Sequence, residues 1–320
     1  MRTCALGLLG LLATACGGNF SNDDLEFLNA LPARTQLMSK LPRRQATGQA
    51  LTARPLADKP IAVGDPSGLY AQTHEASERF NAALEGLLTR LERIRAQTPT
   101  TREPDLRIWG PVEDREHTGH QVRFVMTRRE GFFTYQLQYK PRGQGEEGWW
   151  SFVEGTFEAQ GGLREGTGTV SLQVALARAH GFDLGGLASY RRLDVAYQTR
   201  EPPLRVQMDF VPTGLGRAAL RYTYREAREG FGEMTFLLED TAVLPGNQRA
   251  DLSVLSRWTQ AGDGVARAVA TGGDIPPALD VTQVECWDTR FGITYFQRGW
   301  EADSEVGHPS ACPDVSLLAR

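Results

Sequence analysis

The chain has little of what most enzymes and metal proteins depend on. Its 320 residues include four cysteines, five histidines and five methionines. So few histidines leave little material for a metal centre, and no Cys/His cluster has zinc-site spacing. No G-x-S-x-G elbow, Walker loop or dinucleotide fingerprint occurs. LREGTGTV and PTGLGRAA are glycine-rich, but neither leads into a helix, and both read as hairpin turns or strand bends. Ser253 and Ser256 stand in or near a predicted strand with no evident base. Charge of one sign is also lacking. Thirty-five Lys and Arg face 39 Asp and Glu, a formal net charge of −4. That gives no strong field for nucleic acid. No apolar run reaches the roughly 20 residues that a membrane-spanning helix needs.

What the chain does have is alternation. From about Gln121 apolar residues recur with period two. HQVRFVMTRR places Val122, Phe124 and Met126 on one side, and FFTYQLQYK follows after the turn pair Glu130-Gly131. GWWSFVEGTFEAQ and GTGTVSLQVALARAH come next, then RRLDVAYQTR, PLRVQMDFVP, AALRYTYREAR, GEMTFLLEDT, ADLSVLSRW, GVARAVATGG, DVTQVECWD and FGITYFQRG. These make roughly twelve strands joined mostly by short turns, which favours antiparallel neighbours. A flat open sheet of that width is unusual, so a strongly curved sheet or a barrel is expected. In PLRVQMDF and AALRYTYR one face is apolar or aromatic and the other polar or charged. A lipid-facing barrel would show the same alternation, but the abundance of charge among the strands favours a soluble domain.

Before the strands, Phe80, Leu84, Leu87, Leu91 and Ile94 recur at helical spacing, with Ala76 extending the stripe. This predicts one amphipathic helix over about 73–97, capped by Thr73 and ended by Thr98-Pro99, lying on an apolar face of the sheet. The expected class is therefore mainly β, a large antiparallel meander with one N-terminal helix.

The candidates for chemistry are few. His117 and His120 stand three apart beside Glu116, but Gly119 argues for an exposed loop rather than a metal-holding helix turn. His180 is expected at a turn before Gly181, and His308 exposed in the segment between Cys286 and Cys312. Asp194, Asp209 and Glu233 would form a hydrolytic pair only by converging at roughly 5–10 Å, and solvated residues of a polar face are the plainer reading. The aromatics Trp149, Trp150, Tyr222, Tyr224, Trp258, Trp287 and Tyr295 suit either core packing or the lining of an apolar or sugar-binding site. Trp300, Tyr190 and Tyr197 add to that population. No catalytic, cofactor-binding or metal-binding residue is assigned.

The N-terminus is the most specific stretch. Arg2 precedes an apolar run ending in Ala13-Thr14-Ala15, and Cys16 follows. This order is that of a secretory leader. LATAC, residues 12–16, resembles the lipobox of bacterial lipoproteins, with Thr14 where Ser or Ala is commoner. The resemblance implies cleavage before Cys16 and acylation of Cys16, with palmitate-like chains anchoring the protein to a membrane. Gly17-Gly18-Asn19 lacks the Asp that often marks inner-membrane retention, so the outer membrane is the implied destination, its face left open. Cys4 would leave with the leader. In an oxidising envelope the remaining Cys286 and Cys312 read as a disulfide, two free thiols being the alternative.

The expected organisation is a leader over 1–15, a lipidated cysteine and flexible spacer or packed arm over 16–70, and one β-rich domain over 71–320. The expected function is that of a non-enzymatic cell-envelope lipoprotein binding an apolar ligand or lipid. A structural or assembly lipoprotein docking another envelope protein is the alternative, and a glycan-binding module or glycan hydrolase a third. The expected partners are thus the membrane, through the anchor, and a lipid, glycan or envelope protein, without nucleic acid and without a cofactor.

Overall fold

The computed structural model describes residues 20–42, 61–162, 164–214, 220–244, 248–276 and 278–316. The leader and Cys16 lie outside the described residues. Two short helices open the described chain, α1 (Asn22–Asn29) and α2 (Arg34–Leu37), and a long one follows, α3 (Gly68–Arg95). The first strands are β1 (Thr101–Glu103), β2 (Leu106–Glu113), β3 (His120–Arg129), β4 (Phe132–Pro141) and β5 (Trp150–Gly162). After β6 (Glu165–Leu172) comes a short helix, α4 (Val174–Ala179), then β7 (Tyr190–Gln198), β8 (Leu204–Pro212), β9 (Leu220–Glu226) and β10 (Gly232–Leu244). The chain closes with β11 (Gln248–Trp258), β12 (Gly264–Thr271), β13 (Val281–Trp287), β14 (Ile293–Arg298) and β15 (Val306–Gly307).

All fifteen strands form one antiparallel sheet in sequence order, the meander expected from the short turns. The tight connections are visible in the backbone: Glu130 and Gly131 both adopt positive φ, 48° and 81°, between β3 and β4. The expectation of a barrel or strongly curved sheet is corrected. Strand order runs from β1 to β15 without β1 pairing with β15, so the sheet is open. The course of α3 gives the physical reason. Its cap, Ser67, bonds Glu285 of β13, and Thr73 meets Ser256 of β11. Phe80 packs on Tyr222 and Tyr224 of β9, Arg90 lies 5.9 Å over the Phe152 ring of β5, and the Gln97 carbonyl accepts from the Trp109 indole of β2. Successive turns of one helix therefore meet successive strands. Residues 67 to 97 cover about 45 Å at helical rise, and eleven strand spacings cover about 53 Å. The two lengths nearly match, so α3 lies across the strands on an open sheet. In a barrel it would run along them.

The helix also begins earlier than its apolar stripe suggested. Ser67 accepts from the Tyr70 amide as N-cap. Thr73 is not a cap but a buried residue whose hydroxyl donates to the Leu69 carbonyl. Leu69, Phe80, Leu84, Leu88 and Leu91 are almost wholly buried against the sheet.

Two further elements depart from the sequence reading, and a third takes one of its two alternatives. The β1–β2 hairpin precedes the first expected strand. GTGTVSLQVALARAH is not one strand, because its second half is α4. In the segment read as spacer or arm, residues 20–42 pack on the inner face, with Phe27, Leu31 and Leu37 buried. Ser21 and Asp24 form a capping box at the start of α1. Asp24 then accepts from Arg107 Nε at 2.7 Å and Arg102 Nε at 3.0 Å, while Phe27 meets Phe133 edge-on.

The inner layer has a recurrent device. Trp258 has Gly232 as its cross-strand partner on one side and Gly264 on the other, and Gly264 in turn faces Trp287. Gly155 faces Tyr135 and Gly168 faces Tyr197 in the same way. A Cβ at any of these glycines would overlap the facing ring. The rings thus lie across the neighbouring strand, leaving room for α3. At the other end of the chain, Cys286 of β13 is bonded to Cys312, as expected, and holds the C-terminal segment to the sheet.

Candidate functional site

With the inner face covered by α1, α2 and α3, the open surface is the outer face. Strand register arranges it in rows. Thr127, Thr134, Thr156 and Thr169 are successive partners on β3 to β6, and the row continues through Ala196, Gln207, Thr223 and Thr235. Two pairs bond through their hydroxyls at 2.7 Å, Thr127 with Thr134 and Thr156 with Thr169. Threonine suits such a surface because its β-branch fits the pleat while its hydroxyl stays hydrated. The neighbouring row runs Phe132, Glu158, Thr167, Gln198 and Arg205 across β4 to β8.

Between these rows lies a trough of about 390 Å³. Its floor is low because Ala196 and the threonines are short, and Phe132, Glu158, Arg205 and Gln207 stand around it. Phe132 is 43% exposed, an aromatic on the polar side of its strand. Glu158, Thr167 and Arg205 make no side-chain hydrogen bond or ion pair among the described residues, whereas most arginines of this face are engaged. Arg192 pairs with Asp194 and Arg221 with Asp209, while Arg225 and Arg257 both bind Glu233.

The carboxylates singled out from sequence therefore do not form a hydrolytic cleft. Asp194 and Asp209 are direct cross-strand partners, but each is occupied, Asp194 by Ser171 and Arg192, Asp209 by Gln207 and Arg221. Glu233 sits two strands further on, in a different row, between its two arginines.

Most of the singled-out aromatics belong to the core. Tyr222, Tyr224, Trp258 and Trp287 are all but fully buried under α3 and the arm. Trp150 is buried near the α4 loop, stacked on His180 at 4.3 Å. Tyr295 is buried outside the main core, its hydroxyl on Gln297. Trp149 differs, as Arg123 lies 4.1 Å over its ring and Lys140 4.9 Å. None of these seven lines the trough, whereas buried Tyr197, of the further aromatics named, is among its lining residues.

The histidines hold the main surprise. His117 and His120 are not in a freely exposed loop. His117 stacks on Phe182 at 3.9 Å, and its Nδ1 lies 2.7 Å from Asp114. His120 meets the same Phe182 ring edge-on. Burial, then the nearby His120, push the His180 imidazole down from its ordinary value. Three of the five histidines thus gather where α4 docks. Among the described residues, however, no group of three or more His, Cys, Asp or Glu side chains could hold a metal ion.

Two buried carboxylates anchor the helices. Glu285 accepts from Ser67 Oγ, the Leu69 amide and Gln283 Nε2 at 2.6–2.9 Å. Burial pushes its carboxyl up despite these donors. For Asp24 the balance is opposite: burial pushes up, but the Ser21 amide and the Arg107 and Arg102 guanidiniums together bring it down to about 2.

The trough residues Phe132, Glu158, Gln198, Arg205 and Gln207 were not singled out from sequence. The one signal available was Phe132, an aromatic at polar parity in FFTYQLQYK. No helix among the described residues is long and apolar enough to cross a membrane. No protein-family model, curated protein or solved structure matches the chain.

Proposed function

We propose that the protein is a non-enzymatic lipoprotein of the bacterial outer membrane, tethered through acylated Cys16, that docks another envelope protein on the outer face of its sheet. One observation carries this reading. The inner face is filled by the chain's own helices and aromatic rings, while the outer face of many strands is uncovered. This favours docking over carriage of an apolar ligand, since the stripe of α3 is packed on side chains. The outer face of β7 to β11 carries charges of both signs in fixed pairs, a pattern that selects a polar partner by complementarity. The occupied carboxylates favour a non-enzymatic role.

The test is site-specific photo-crosslinking in the native cell from Thr223 on β9 and Arg267 on β12. A discrete protein adduct from both positions is expected. It should vanish in Cys16→Ser, which releases the protein from the membrane or leaves it unprocessed. Absence of any adduct from membrane-bound protein would refute docking. Recovery of a stoichiometric lipid by solvent extraction would restore the carrier reading. A mature mass without acyl addition on Cys16 would remove the anchor.

A further inference from the structure

We infer that the trough on the outer face of β4 to β8 is a binding site for a neutral, linear oligosaccharide. The site is separate from the positions used to test docking, so either reading can fail alone. Its volume, about 390 Å³, lies in the range of small-ligand sites. Its chemistry is that of sugar recognition. Sugars present apolar C–H faces and pairs of neighbouring hydroxyls. Phe132, 43% exposed, offers a flat apolar platform at one end. Glu158 and Arg205 are planar polar groups, each able to address two adjacent hydroxyls at once, while Gln198 and Gln207, with their amide nitrogens on the Glu201 carbonyl and on Asp209, offer their amide oxygens as acceptors.

The free partners carry the inference furthest. Elsewhere on this face Arg192, Arg221, Arg225 and Arg257 are each neutralised by a carboxylate. Glu158 and Arg205 flank the trough without doing so, because β6 and β7 separate them. Three strand spacings put them about 14 Å apart. One acceptor and one donor at that span suit an extended ligand carrying no net charge. A polyanion would meet Glu158, and a polycation would meet Arg205. The strand spacing of about 4.8 Å is close to the length of one pyranose ring, so a chain laid across the strands would place one sugar near each strand's outward side chains. An extended peptide is disfavoured, because β4 to β8 are each paired on both sides and offer no open edge to a peptide backbone. A hydrocarbon is disfavoured by the threonines beneath.

The experiment is calorimetric titration of the full mature protein with cellotetraose, xylotetraose and the tetramer of N-acetylglucosamine. A sulfated tetrasaccharide and an uncharged tetrapeptide serve as comparison ligands. At least one neutral tetrasaccharide should bind with one-to-one stoichiometry. Phe132→Ala and Arg205→Ala should each weaken it about tenfold or more. Ala196→Trp, which fills the trough from an exposed position, should abolish it. All three positions lie on the outer surface, so melting temperatures should stay close to the parent's, and a variant that does not melt cooperatively is replaced by Thr169→Gln. The inference is overturned if no neutral tetrasaccharide binds, if Ala196→Trp binds as well as the parent, or if the sulfated ligand or the peptide binds more tightly.

Discussion

Gly232 offers the sharpest test of how the inner layer is built. In an ordinary strand, replacing glycine by alanine removes backbone freedom from the unfolded chain and gains about 0.5–1 kcal/mol. Gly232 is not in the left-handed region, so the backbone there accepts alanine. The obstacle is Trp258, the atoms of which are the nearest to any Cβ added at Gly232. The indole is fully buried, with Tyr224 stacked near it and Gly264 as its partner on the far side. It has nowhere to slide. Overpacking of this kind costs about 1–3 kcal/mol, which exceeds the glycine gain at most of its range. Gly232→Ala should therefore destabilise by about 1–2 kcal/mol and lower the melting temperature by about 2–6 °C. Urea titration followed by circular dichroism and tryptophan emission would measure it. Gly186→Ala, at an uncrowded glycine outside the left-handed region, should be neutral or slightly stabilising. In a Trp258→Leu background the penalty at 232 should disappear, a coupling of about 1–3 kcal/mol. If Gly232→Ala matches the parent, or costs as much without the tryptophan as with it, the ring-over-glycine account is wrong.

Three further outcomes are expected. Asp24, with a folded pKa near 2 against an ordinary 3.8, should contribute about 2 kcal/mol above pH 4 that is lost as pH falls toward 2; urea midpoints across that window should show the loss, and Asp24→Asn should lack it. Glu285 has the opposite sign: above its ordinary value of 4.5 the folded state keeps the proton longer than the unfolded one, so stability should decline as pH rises toward the folded value, and Glu285→Gln should flatten that slope in the same titrations. Reducing the Cys286–Cys312 bond should cost about 2–5 kcal/mol, and hydrogen exchange should show residues 300–316 loosening before the strands do.

Local signals carried much of the fold. Glu130-Gly131 marked a hairpin because a tight turn needs positive φ, and it is one. The stripe from Phe80 to Ile94 marked α3 because its spacing is a property of a single helix. The cysteine pair followed from there being only two cysteines left over. The failures share a different origin. Whether β1 meets β15 depends on the whole width of the sheet, so no local pattern distinguishes an open sheet from a barrel. Val170, Leu172, Val174 and Leu176 alternate, yet the chain turns helical after Leu172. Arg107 is buried in β2 where its polarity suggests solvent, because Asp23 and Asp24 of α1 meet it there. The trough needs the register of five strands to bring Phe132 and Arg205 to one surface, and no single segment holds that information.

The course of α3 also sets an order of events in time. The helix is synthesised before the strands it lies across, yet its cap is completed by Glu285, 218 residues later in the chain. Each hairpin can close on its neighbour as it emerges, because pairing is sequential throughout. The helix cannot finish in that way. Its C-terminal turns are covered first and its N-terminal turns stay uncovered until β13 arrives, so the start of the helix waits for nearly the last of the chain. A nascent chain with that architecture exposes the first turns of a sticky helix for most of its synthesis. It is safest when a chaperone shields those turns until the C-terminal strands are available.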